Sequence, residues 1–76
     1  MILITGQNGF IARHLTKKLY DLGQKVSFLN RGDDINCEPS HIFHLAAEVY
    51  DNTKMFDTNV LLTYKILEFC RHHPNT

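Results

Sequence analysis

The chain is poor in the features that usually mark a specialised small protein. It contains no tryptophan, only two cysteines and two prolines, and no excess of either charge, with eight basic and eight acidic residues among 76. That balance removes any electrostatic reason to bind nucleic acid or an anionic membrane. Cys37 and Cys70 stand far apart, neither with a nearby second cysteine to form a zinc pair or a redox motif. Each reads as a reduced, partly buried thiol. No apolar run approaches the roughly 20 residues of a membrane helix, and Met1 leads straight into Ile-Leu-Ile without the basic flank and cleavage site of a secretion signal. The expected compartment is the cytoplasm. A chain this short forms one domain, 1–76, with no internal boundary, and its core barely offsets the entropy of ordering it.

What is present is an alternation of strand and helix patterns. Met1 to Thr5 is a nearly continuous apolar run, as in a strand buried on both faces of a parallel sheet. A turn over Gly6 to Gly9 follows. From Phe10 onward, Ile11, Leu15, Leu19 and Leu22 recur at helical spacing, with Arg13, Lys17, Lys18 and Asp21 on the other side and Gly23 as the C-terminal cap. Val26 to Leu29 reads as a second strand, and Asn30-Arg31-Gly32-Asp33-Asp34 as the loop that closes it. After a polar stretch containing Pro39, His41 to Ala47 reads as a third strand with its exit loop. A second long helix follows, capped by Asp51 or Asn52, with Phe56, Val60, Tyr64 and Leu67 in one stripe and Arg71, His72 and His73 near its end before Pro74. The expected fold class is α/β, with about three parallel strands and two main helices in the order strand, helix, strand, strand, helix.

The segment Thr5-Gly6-Gln7-Asn8-Gly9-Phe10-Ile11-Ala12 carries the chemistry. It joins a buried strand to an amphipathic helix at the carboxyl end of the sheet, where ligands bind in such folds. Gly6 permits a tight turn, Gly9 permits backbone to approach a pyrophosphate, and the small Ala12 permits close packing of helix on strand. Free N–H groups at the helix start would face the phosphates. These residues point to a dinucleotide. At the end of the second strand an NAD site wants a carboxylate for the ribose hydroxyls, but this chain has Asn30 and Arg31. Asparagine can still bond a hydroxyl, and a guanidinium can pair with the 2′-phosphate of NADP, which tilts the expectation from NAD toward NADP. A solvated turn in which Arg31 faces Asp33 or Asp34 is the competing reading.

Three segments together resemble the extended short-chain dehydrogenase/reductase family, which includes the sugar-nucleotide epimerases and dehydratases. Thr5-Gly6-x-x-Gly9-Phe10-Ile11-Ala12 with His14-Leu15 is similar to the family's opening, and His44-Leu45-Ala46-Ala47 to its strand-end motif. Asp57-Thr58-Asn59-Val60, Thr63 and Ile66-Leu67-Glu68 are similar to its following helix. The resemblance implies a partial Rossmann-like three-layer domain. It also implies that Gly6, Asn8, Gly9, Phe10 and Ile11 cradle the pyrophosphate, that Leu45, Ala46 and Ala47 line the cofactor and that Thr58 touches it, whereas Asn59 matches a structural position.

The chain also departs from that family. Only about a dozen residues separate Asn30 from His44, enough to cross in extended form but too few for a packed crossover helix, so the adenine side is expected to be incomplete. The stretch from Asp51 to Asn59 is shorter than in typical dehydratases. Tyr50 and Lys54 have the spacing of the family's catalytic pair, yet they fall directly after the cofactor-lining motif instead of after a further strand, and are not read as catalytic. No catalytic residue is therefore assigned, and no metal site: His41 and His44 point to opposite faces of a strand, and His72 and His73 suit a solvated helix end.

The expectation is the NAD(P)-binding portion of a sugar-nucleotide epimerase or dehydratase, cut off before the catalytic half. A noncatalytic dinucleotide-binding or interaction module and a fragment of an NADP-dependent ketone or steroid reductase are the alternatives. Expected partners are the dinucleotide, a sugar nucleotide in the parent enzyme, and a second copy against the helix centred on Val60.

Overall fold

A computed structural model describes residues 1–30, 32–47 and 52–76, with only the backbone of Asn52. Strand β1 (Ile2–Thr5) leads into helix α1 (Phe10–Asp21) and strand β2 (Val26–Leu29); strand β3 (His41–His44) follows. A helix then begins as α2 (Asn52–Met55), widens into a π-helical segment (Phe56–Leu61) and continues as α3 (Leu62–His72). The strands form one parallel sheet in the order β2-β1-β3, with Thr5 opposite both Leu29 and His44. The expected α/β class and order of elements are present. Among the described residues no helix is long and apolar enough to cross a membrane.

The strand period of two sorts β1 onto two cores. Ile2 and Ile4, with Val26 and Phe28, meet Ala12, Leu15 and Leu19 of α1 on one face. On the other, Leu3 and Leu29 meet Leu62 and Ile66 of α3. Helices thus cover both faces, giving three layers. The connection from β2 to β3 must cross β1, and with so few residues it does so without a helix, tucking Ile35 and Cys37 against the α3 core. Pro39, in the same segment, is fully buried.

Helix α1 ends as its sequence dictates. The Gly23 N–H bonds Tyr20 O at 2.9 Å and the Gln24 N–H bonds Leu19 O at 2.9 Å. This double closure requires a left-handed residue between them, and Gly23 supplies it at φ 78. The second helix ends at His72, just before Pro74.

Helix α1 buries the middle of its expected stripe, Leu15 and Leu19, and not its ends, whereas the second helix turns a different face to the sheet from the one its apolar spacing suggests. In α1 the buried positions are Ala12 and Leu19, while Ile11 and Leu22 are exposed at 67% and 62%. The sheet approaches so closely that the smallest side chain marks the contact. In the second helix Phe56, Val60, Tyr64 and Leu67 all face solvent, and Leu62 and Ile66 face the sheet. Ile35 and Cys37 of the crossing segment pack against the same cluster, to which the helix contributes Leu62 and Ile66, one turn apart. No proline or glycine lies between Asn52 and His72, so no helix breaker accounts for the π segment. The expected cap Asp51 lies outside the described residues, and Asn52 opens α2.

Candidate functional site

The carboxyl ends of the three strands enclose a cavity of about 260 Å³, lined by Gly6, Gln7, Asn8, Gly9, Leu29, Asn30, Leu45, Ala46, Ala47, Thr58 and Leu62. It is built from the turn after β1, the ends of β2 and β3, and one side of the second helix. Gly6, Asn8, Gly9, Asn30, Leu45, Ala46, Ala47 and Thr58, separated widely in sequence, converge here. Phe10 and Ile11 sit just outside on α1, their side chains exposed at 76% and 67% and directed away from the cavity; Phe10 packs edge-on against His14 at 4.5 Å. Arg31 and Tyr50 lie outside the described residues, and Lys54 is exposed on α2.

Gly6 is fixed by two independent constraints. Its φ of 75 is left-handed, and a Cβ there would stand 2.8 Å from Ala46 N and Leu45 C, both backbone atoms that cannot give way. The turn after β1 thus lies directly against the exit of β3. The Gly9 N–H closes the turn on Gly6 O at 2.9 Å, and Gly9 O then accepts the Arg13 N–H at 3.0 Å to start α1. Gly9 has no side chain to cap the helix, and the first turn contains no acidic residue. The helix start is therefore an uncapped positive end beside the cavity, suited to an anion.

Hydrogen bonds join the three strand ends. Thr5, completely buried, uses Oγ1 to accept the Leu45 N–H at 3.0 Å and the Ala46 N–H at 3.1 Å. The same oxygen lies 2.7 Å from His44 Nδ1, and His44 Nε2 lies 2.7 Å from Thr63 Oγ1 on α3. On the other side, Gln7 Nε2 donates to Asn30 Oδ1 at 3.1 Å. The Asn30 N–H donates to Asp33 Oδ2 at 3.1 Å, and the Asp33 N–H to Asn30 O at 3.0 Å, closing the loop after β2. Among the described residues, Lys65 holds that loop from the helix, donating to Asp33 O at 2.7 Å and lying 3.6 Å from Asp34 Oδ1.

Sequence reading missed Gln7, Leu29 and Leu62 as lining residues and the chain from Thr5 through His44 to Thr63. Leu29 was legible as the residue that ends β2. Leu62 and Thr63 were hidden by the choice of helix face. Beyond Leu62, which lines both, a larger and mainly apolar hollow of about 690 Å³ is bounded by Gly32, Leu61, Tyr64 and Lys65 among others. Among the described residues no three His, Cys, Asp or Glu side chains group to hold a metal ion. His73 stacks on Phe69 at 4.0 Å, and His72 lies 3.8 Å from Glu68. A scan against protein-family models and a search of curated proteins both find no match to the chain, so the chemistry of the site is read from its own geometry.

Proposed function

We propose that the chain binds a dinucleotide at this cavity and is the NAD(P)-binding portion of an epimerase or dehydratase acting on a sugar nucleotide. The observation that carries the reading is the Gly6–Gly9 turn: a bare helix start faces a cavity whose other sides are the ends of β2 and β3. The pyrophosphate sits at the start of α1, where backbone N–H groups and the helix dipole favour negative charge. At about 260 Å³ the cavity falls just below the range of whole small-ligand pockets. It takes the pyrophosphate and an adjoining ribose, and the hollow beyond Leu62 offers apolar cover for the base.

Asn30 bears on the choice of cofactor. Its carboxamide oxygen accepts from Gln7 and keeps one lone pair, and its amide NH₂ adds a donor that a carboxylate lacks. That group donates, whereas the carboxylate of an NAD site accepts from ribose hydroxyls. A 2′-phosphate is the better match, and NADP the preferred cofactor.

Among the described residues, those lining the smaller cavity, where the pyrophosphate and ribose would sit, include no acid, base or thiol. This favours, as a second reading, a module that binds dinucleotide without performing chemistry; in the parent-enzyme reading the proton-transfer groups come from elsewhere. An NADP-dependent ketone or steroid reductase shares the same cofactor logic. Free Cys37 and Cys70 suit the reducing cytoplasm. The exposed stripe from Phe56 to Leu67 is the surface on which a second copy would pack.

Amide chemical-shift mapping during addition of NADP tests the reading. Shifts should concentrate at Gly6 to Gly9, Asn30, Leu45 to Ala47 and Thr58. Shifts confined to other surfaces, or none in a folded chain, would refute it.

A further inference from the structure

The contacts of Thr5 determine more than its own position. A threonine hydroxyl has two lone pairs and one proton. Both lone pairs of Thr5 Oγ1 are used by the Leu45 and Ala46 N–H groups. Its 2.7 Å contact with His44 Nδ1 must therefore run from the hydroxyl to the ring, with Nδ1 as acceptor. A neutral ring with a bare Nδ1 carries its proton on Nε2, and that proton is donated to Thr63 Oγ1 at 2.7 Å. The chain has one consistent direction, from β1 through β3 to α3.

We propose that His44 is a positioning residue of the cavity: neutral, with its proton on Nε2, it keeps Thr5 free to hold the Leu45–Ala46 side in place, and uptake of a second proton releases that side. A proton on Nδ1 would point at Thr5 Oγ1, which has no third lone pair. One of the two backbone N–H groups must then leave, or the ring must. Both belong to the segment that packs against Gly6, so the cavity loses its fitted contact. Burial holds the pKa of His44 below the ordinary 6.5, and among the described residues no charged side chain contributes to the shift. From β1 the ring meets Thr5 and from α3 it meets Thr63. The charged groups of α3 are engaged elsewhere, Lys65 with the loop after β2 and Glu68 with Arg71 and His72. The consequence for ligand binding rests on the dinucleotide reading above; the protonation step does not.

Nitrogen-detected NMR of the full chain, labelled with ¹⁵N, reports the state of the ring directly, and hydrogen exchange reports the Leu45 and Ala46 amides. The expected result is an Nε2–H tautomer at neutral pH, titrating below 6.5. The protection of one or both amides should fall about tenfold as the ring protonates, the worth of one hydrogen bond. His44→Asn, which offers an acceptor and does not titrate, should keep both amides protected at acid pH. An Nδ1–H tautomer in the unmodified chain, or full protection of both amides through the titration of His44, would overturn the proposal even if no variant folds. A chain that shows the Nε2–H tautomer and pH-released amides but takes up no NADP would uphold this inference and refute the dinucleotide reading.

Discussion

The two connections that leave β1 and β2 are built on different terms. From Thr5 to Val26 every local signal agrees: a glycine turn, an amphipathic helix, a glycine that closes it and a strand in parallel register. From Leu29 to His41 the chain crosses a strand with no helix to cover the crossing, and the helix after β3 contains a π segment that its composition does not announce. The first connection is held by short-range chemistry. The second depends on contacts between residues far apart in sequence, such as Lys65 with Asp33 O and Thr63 with His44. Where local rules suffice the structure follows the sequence pattern; where tertiary contacts decide, the pattern misleads about which face is inside.

The sharpest way to break this contrast is at the one glycine where the two halves touch. Gly6→Ala combines left-handed backbone with a Cβ 2.8 Å from immovable backbone. It should cost about 4 kcal/mol, the sum of a strain and an overpacking term, and leave the chain largely unfolded in a urea titration. Next in size is the face of the second helix. Leu62→Ala, at a site only 3% exposed, should lower stability by about 3 kcal/mol, whereas Leu67→Ala, at 63% exposed, should change it by less than about 0.5 kcal/mol. Equal losses for the pair would mean that the sheet-facing side has been assigned wrongly.

Gly23→Ala is a smaller probe of the first connection. Nothing lies within 4 Å of the added methyl, so only the φ of 78 opposes it, at about 1 kcal/mol. Smallest is the effect of pH through His44. Its pKa is lowered in the folded chain, so the unfolded chain binds the proton more readily and stability from this group rises with pH. That contribution is complete above 6.5 and is lost as pH falls from there through the lowered folded value. His44→Asn should flatten this part of the urea midpoint against pH; an unchanged slope would place its origin in another group.

Much of the fold was legible because β1, α1 and Gly23 obey rules that act over a few residues. Ile2 to Thr5 reads as buried because it is, and Ala12 was recognised as the close-packing position. The exposed stripe on the second helix was equally plain as a stripe, but spacing alone does not say toward what a stripe points. Ile35 and Cys37 take part of the α3 side of the sheet, and nothing in the helix itself records that. The candidate site was legible at Gly6, Gly9 and Leu45 to Ala47, where small residues stand at strand ends. It was less so at Gln7, whose amide engages Asn30, because a side-chain bond across 23 residues of sequence leaves no periodic trace. The Thr5, His44 and Thr63 contacts escaped for the same reason.

Calorimetric titration of the purified chain with NADP and NAD, alongside Gly9→Val, tests the central claim most directly. The valine side chain would stand between backbone and phosphate, and near Gly6 O, which is 3.2 Å from the first added carbon. Saturable heat with NADP, weaker heat with NAD and none from a folded Gly9→Val chain is the expected result. A folded, unmodified chain that takes up neither nucleotide would contradict it.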